Sequence, residues 1–197
     1  DLVKVCSQNF KSTAYDVLST LLDDYSPEEL NHCIEGAYGT QWDTKTITPV
    51  SAIGDDWLLE LFHGPTSAFK DVALQMLPRL MSVARKDTNA VDTSDQNIMI
   101  VTATSGDTGK AALEGFKDVP GMGITVFYPE GKVSDIQRLQ MVTQKGSNVA
   151  VCAVNGNFDD AQNAAKAIFA NKKLAQELAV KNTVLSSANS INIGRLA

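Results

Sequence analysis

The sequence predicts an α/β fold: a parallel open sheet flanked by helices, with a helical part in front of it. Three observations lead there. Four apolar runs have strand length: Asn97 to Ala103, Gly123 to Tyr128, Asn148 to Val154 and Thr183 to Ala188. Amphipathic stretches near Lys110 to Lys117, Ser134 to Lys145 and Asp159 to Lys181 alternate with them. Each interval is long enough for the crossover that parallel strands require.

Taken in order, the elements begin with Ala14, Val17, Leu18, Leu21 and Leu22, which recur at helical spacing. Ser26-Pro27-Glu28-Glu29 then has the form of a capping box with proline in the first turn, so a second helix starts there. Trp57 to Phe62 is a short apolar run that reads as a buried strand, and His63-Gly64-Pro65 closes it in a tight loop. Phe69, Ala73, Leu77, Leu80 and Ala84 fit one face of a further helix, with Pro78 as a kink, which puts Lys70 near a helix start. The polar stretch Lys86 to Gln96 reads as a surface loop between two halves. The expected organisation is therefore a mainly helical part over 1–90, an α/β subdomain over 95–185, and the start of a continuation over 186–197.

Composition narrows the function classes. A chain of 197 residues with 44% hydrophobic content can bury one substantial core or two small ones. A net charge of -6 with scattered Lys and Arg offers no basic stripe, so nucleic acid is not an expected partner. No apolar run reaches the roughly 18 residues of a membrane span, and with no basic stretch followed by an apolar one at the start no signal peptide is expected. Cys6, Cys33 and Cys152 are odd in number and lack CxxC spacing, which fits a reducing, cytoplasmic setting. With only His32 and His63 and no clustered carboxylates, no metal is expected.

Two segments carry chemistry. In Ile98-Met99-Ile100-Val101-Thr102-Ala103-Thr104-Ser105-Gly106-Asp107-Thr108-Gly109 a strand ends in a glycine-bracketed polar turn that opens a helix. Free backbone N–H groups and the helix dipole there favour an anion, and the crevice of a doubly wound sheet lies at such strand ends. The same letters also suit an ordinary β-to-α turn with a Thr or Asp cap. A Walker A loop is excluded, because two residues separate Gly106 from Gly109 and Ala111 follows Lys110. The second segment is Leu59-Glu60-Leu61-Phe62-His63-Gly64-Pro65-Thr66-Ser67-Ala68-Phe69-Lys70-Asp71. A lysine among apolar neighbours at a helix start is pushed toward its neutral, nucleophilic form. Alone, a Lys-Asp pair at a helix start reads equally as a solvated face.

Together the two segments resemble threonine synthase, a pyridoxal 5'-phosphate (PLP) enzyme of fold type II. Phe62 to Asp71 is similar to that family's cofactor-lysine motif, and Thr102 to Gly109 to its substrate loop. Tyr128-Pro129-Glu130-Gly131-Lys132-Val133-Ser134 and Ser187-Ala188-Asn189-Ser190-Ile191-Asn192-Ile193-Gly194-Arg195-Leu196 extend the resemblance in the same order, so that it covers 47–197. It implies O-phosphohomoserine as substrate, threonine and phosphate as products, and Lys70 as the residue that carries PLP and shuttles protons. Ser105, Gly106 and Thr108 become candidates for the substrate carboxylate. Asp107, an acid itself, is expected to orient the loop or meet the cofactor edge. Lys132, Ser187, Asn189, Ser190, Asn192 and Arg195 become candidates for the substrate phosphate, because Arg offers a bidentate fork and Lys a point charge.

The resemblance also implies a fragment. Family members run to more than twice this length, and their Gly-Asn-Phe-Gly loop, which cups the cofactor phosphate, lies beyond the Asn-Ser-Ile-Asn stretch, as does the hydroxyl residue facing the pyridine nitrogen. Gly156-Asn157-Phe158-Asp159-Asp160 imitates that loop in letters but lies upstream of Asn189 to Asn192, and reads instead as a helix cap. The chain alone is accordingly expected neither to hold PLP tightly nor to turn over. Two rival readings stand beside this one: another fold type II lyase, similar to threonine dehydratase or cysteine synthase, and a non-catalytic threonine synthase-like module.

Overall fold

A computed structural model describes residues 7–86 and 96–188. The chain opens with helices α1 (Phe10–Leu21) and α2 (Pro27–Ala37), followed by a hairpin of β1 (Val50–Ile53) and β2 (Asp56–Leu59). The short helix α3 (Asp71–Leu74) and α4 (Leu77–Lys86) come next. The second half runs β3 (Asn97–Ala103), α5 (Asp107–Phe116), β4 (Met122–Pro129), α6 (Asp135–Val142), β5 (Val149–Val154), α7 (Phe158–Ala170), α8 (Lys172–Val180) and β6 (Thr183–Ser186). Its sheet has the order β5-β4-β3-β6, and every pairing is parallel. This is the open α/β sheet that the alternation predicts.

Local signals account for most boundaries. At α2, Ser26 accepts from the Glu29 N–H while the Glu29 side chain accepts from the Ser26 N–H, and Pro27 occupies the first turn. At α6 the same box is built from Ser134 and Gln137. At α7 the Asn157 side chain accepts from the N–H groups of Asp159 and Asp160. Those amides are thereby satisfied, and the stretch from Gly156 to Asp160 is a helix cap.

Three expectations need correction. The run from Trp57 to Phe62 does contain a strand, but it is not buried: β2 is exposed throughout, with Trp57 75% accessible. It pairs only with β1, through a turn at Gly54, and the ribbon has no covering layer among the described residues. The helix after Lys70 is not one kinked rod either. Pro78 has no N–H to return to the Leu74 carbonyl, so α3 stops and α4 restarts in a new phase. Phe69, ahead of α3, and Ala84 are exposed, while Ala68, Leu74 and Met76 are buried. The helical stretch from Asp159 to Lys181 is likewise two helices, because Asn171 leaves helical geometry and its side chain caps α8 by accepting from the Leu174 N–H.

Two cores result. Ile100 of β3 and Met122, Ile124, Val126 and Tyr128 of β4 pack with Leu113 and Phe116 of α5 and Met141 of α6. A second core joins Cys33, Ile34 and Ala37 of α2 to Tyr38, Trp42, Ile47 and Met76. The segment after Lys70 belongs to both: Leu74, Leu77 and Met81 face the sheet core, and Val72, Met76, Leu80 and Val83 face the helical one. Its position is set from two sides, and with it the position of Lys70.

The hairpin is tied to the helical part by His63, whose Nδ1 lies 2.5 Å from Asp43 Oδ1 and whose Nε2 lies 2.6 Å from Glu60 Oε2. Ser51 of β1 donates to the other Glu60 oxygen. The Glu60 hydrogen bond, opposed by desolvation and reinforced by Asp43, raises the imidazole above its usual range. Stability from such a raised histidine is fully present below the unfolded-state value and is lost as pH rises through the folded one. Heat-denaturation midpoints of the wild type should therefore fall with rising pH through neutrality, and His63→Asn should flatten that dependence. Equal slopes in the two proteins would remove His63 as the cause.

Candidate active site

The C-terminal end of β3 and the start of α3 meet at one cavity of about 320 Å³. Lys70 stands at one wall as the residue before α3, with helical backbone angles and no side-chain cap. Its Nζ donates to Thr108 Oγ1, and lies 5.6 Å from the centroid of the Phe69 ring. The two segments singled out by sequence are thus in direct contact, though 38 residues apart. Opposite them, α7 presents Phe158, Gln162, Ala165, Lys166 and Phe169, which share one helical face, and Lys166 Nζ donates to Gln162 Oε1 at 2.9 Å. Ser187, after β6, completes the rim. Among the described residues, two amines and no carboxylate line the cavity. An anionic or electron-rich ligand matches that balance.

The lysine loop owes its shape to Asp71. This carboxylate is fully buried, accepts from Thr66 N at 2.8 Å and from Thr66 Oγ1 at 2.7 Å, and so folds the loop back on the helix start. Desolvation pushes its titration above the usual carboxylate range, against the pull of the Thr66 bonds, the Ala68 amide and the charge of Lys110. A Lys-Asp pair on a solvated face is not what the structure shows, since Asp71 points inward and Lys70 is half-buried.

The turn at the end of β3 is organised by Thr104. Its buried Oγ1 accepts from Gly106 N at 2.9 Å and Gly109 N at 2.8 Å, so those two amides are already engaged and are not among the free N–H groups expected to favour an anion. Gly106 has φ 141, a left-handed conformation that side chains avoid. Asp107 accepts from Gln137 Nε2 at 2.9 Å and pairs with Lys110 at 3.3 Å. Desolvation works to raise it, but the hydrogen bonds from Gln137 and Lys110 and the charges of Lys110 and Lys70 outweigh that and hold the carboxyl below its usual range. Replacing Thr104 by valine leaves two buried donors without their acceptor, and should cost about 1–3 kcal/mol. Urea denaturation measures this directly, and an unchanged midpoint would show that the amides find another acceptor.

The sequence candidates fall into three groups. Lys70, Ser105, Thr108 and Ser187 line the cavity, and Gly106 and Asp107 shape the loop beside it. Lys132 is exposed on the turn after β4 and does not line the cavity. Asn189, Ser190, Asn192 and Arg195 lie outside the described residues. Sequence reading missed Thr104, Gln137 and the α7 face. The spacing 158, 162, 165, 166, 169 was open to inspection as one helical stripe, whereas nothing local tells that Gln137 reaches Asp107.

No family model matches the chain. The threonine synthase of Pseudomonas aeruginosa is 40% identical over 164 residues, which make up 83% of this chain and 32% of that protein. Among solved structures, the threonine synthase from yeast superimposes with a TM-score of 0.81 at 34% identity, covering 96% of this chain and 37% of that one. This chain is a threonine synthase homologue. A PLP-bound threonine synthase from Brucella melitensis gives a TM-score of 0.80 at 35% identity, over 96% of this chain and 39% of that one. Human threonine synthase-like 1 is 40% identical over 180 residues, 88% of this chain and 23% of that protein. The chain spans 32% of the Pseudomonas threonine synthase and 37% of the one from Schizosaccharomyces pombe. Among the described residues no helix is long and apolar enough to cross a membrane, and no group of His, Cys, Asp and Glu is placed to hold a metal ion.

Proposed function

We propose that the protein containing this chain is a PLP-dependent threonine synthase, which converts O-phosphohomoserine and water to threonine and phosphate. The observation that carries the reading is the contact of Lys70 Nζ with Thr108, at a cavity that the described residues line with two amines and no acid. The residues fit PLP as cofactor: the cavity volume is within the usual range for small ligands, and an amine faces it from a helix start. Lys70 would hold the cofactor. When bound, PLP supplies an electron sink for charge developing beside the substrate amine.

The chain's own residues then have separable tasks. Lys70, once its amine is free, moves protons at the substrate Cα and Cβ, while phosphate leaves from Cγ and water adds at Cβ. Ser105 and Thr108, with the remaining amides of their loop, receive the substrate carboxylate. Asp107 would repel that group, and serves instead through its bonds to Gln137 and Lys110 to fix the loop. Ser187, Asn189, Ser190, Asn192 and Arg195 remain candidates for the substrate phosphate, with Lys132 placed to join only if the turn after β4 moves inward.

A second reading rests on the human relative, whose name is threonine synthase-like 1. Under it the fold acts in another lyase reaction, or in none. The full-length protein, supplied with PLP, separates these readings. Threonine synthase activity requires phosphate and threonine in equal amounts from O-phosphohomoserine. Keto acid formed from threonine without phosphate release would favour a dehydratase-type lyase, and neither product would leave a folded module.

A further inference from the structure

Helix α6 touches both chemical loops from outside the cavity, and does so through three residues on one face. Gln137 Nε2 donates to Asp107 Oδ1 at 2.9 Å, and its Oε1 accepts from the Ser134 N–H at 3.3 Å. One turn on, Gln140 Nε2 donates to the Thr66 carbonyl of the lysine loop at 3.2 Å. Met141 is fully buried beside Gly109, where a β-carbon would come within 2.9 Å of its sulfur. A β-carbon at Gly106 would strike the Gln137 carboxamide itself. Residues 137, 140 and 141 are neighbours on a helix surface, so the three contacts belong to one rigid body.

The two loops themselves are bonded through the flexible side chain of Lys70, which reaches Thr108, while the helices that follow them pack together at Gly115 and Leu74. A bond of that kind transmits little about backbone position, whereas a helix bonded to the Asp107 carboxylate and to the Thr66 carbonyl, and packed on the sheet core through Met141, adds a rigid link between the loops. Gln137 is also pinned at both ends of its carboxamide: the oxygen is held by the cap of its own helix, and the nitrogen is aimed at Asp107. An amide, or a protonated acid of the same length, offers an acceptor and a donor there together, and an ionised carboxylate does not.

We propose that α6 is a clasp that sets the substrate loop in register with the lysine loop, and that Gln137 is its positioning residue. Gln137 does not line the cavity, so it acts through Asp107 and the Gly106 backbone. The proposal rests on the threonine synthase reading for its kinetic consequence, but the clasp itself can be tested without turnover.

The experiment uses the full-length protein and two variants. In Gln137→Ala the Asp107 side-chain carboxyl, followed by 13C NMR, should titrate at higher pH than in the wild type. Under the proposed activity kcat/KM for O-phosphohomoserine should fall about tenfold or more, the scale of a lost charge-assisted hydrogen bond. Gln137→Glu separates positioning from general damage to the fold. The glutamic acid can donate to Asp107 only when protonated, so kcat/KM should recover toward acid pH, where the wild type shows no gain. The charged groups facing Asp107 are Lys110 from its own helix and Lys70 from the lysine loop; both are the same in the wild type, which is therefore the control for any pH effect of theirs. An unchanged Asp107 titration in Gln137→Ala overturns the proposal, as does a Gln137→Glu enzyme without acid recovery. If the wild type releases no phosphate, the activity reading fails and the NMR titration still decides the clasp. Should Gln137→Ala fail to fold, the Asp107 titration in Gln137→Glu takes its place.

Discussion

Lys70→Ala in the full-length protein should abolish phosphate release from O-phosphohomoserine, with a loss of at least about a thousandfold. The amine would carry the cofactor and move protons as well, and roles combined in one group fail together. Stability should barely change. Lys70 makes no cap bond to its helix, and its contact with Thr108 is between side chains at the edge of a cavity. Phosphate release under saturating PLP checks the first statement, and thermal denaturation checks the second. Retained turnover in a folded Lys70→Ala protein would remove the central assignment.

Gly115→Ala should be the most damaging small substitution in the sheet half. Gly115 lies in α5 with its Cα against the backbone of α3, and a β-carbon there would sit far inside van der Waals contact of the Leu74 carbonyl oxygen. On an exposed helix the same change stabilises by about 1 kcal/mol. Here overpacking against backbone, which has no rotamer to yield, reverses the sign and should cost about 1–3 kcal/mol. In a domain of this size each kcal/mol lowers Tm by about 2–4 °C. Because α3 carries Lys70 at its start, the shift should also loosen the contact between Lys70 and Thr108. A Tm equal to or above that of the wild type would show that α5 and α3 separate at no cost.

Much of this architecture is local and therefore legible in the letters. The boundaries of β3, the capping boxes at Ser26 and Ser134, and the cap at Asn157 each depend on residues within four positions of one another. The helix after Lys70 was less legible, because the consequence of Pro78 depends on where the Leu74 carbonyl goes, and that carbonyl faces Gly115 on another element. The apolar run at β2 reads as buried because apolarity reports what a strand prefers to touch and not whether a partner layer is present.

For the candidate site the division is sharper. The sequence by itself determined the chemical types and their place in the secondary structure: Lys70 at a helix start, and Ser105 to Gly109 at the end of a parallel strand. Periodicity and glycine placement are enough for that, since each reflects backbone geometry over one or two turns. Only the tertiary structure decided which groups meet. It brought Lys70 to Thr108, buried Asp71 beneath Thr66, gave two loop amides to Thr104 and hung Asp107 on Gln137. Two of those pairings, Lys70 with Thr108 and Asp107 with Gln137, join residues 38 and 30 positions apart, and hydrogen-bond reach across such separations is a property of the packed core that no local pattern encodes. The Thr66 and Thr104 bonds span five positions or fewer, and there the fold decided only which of the local partners is used.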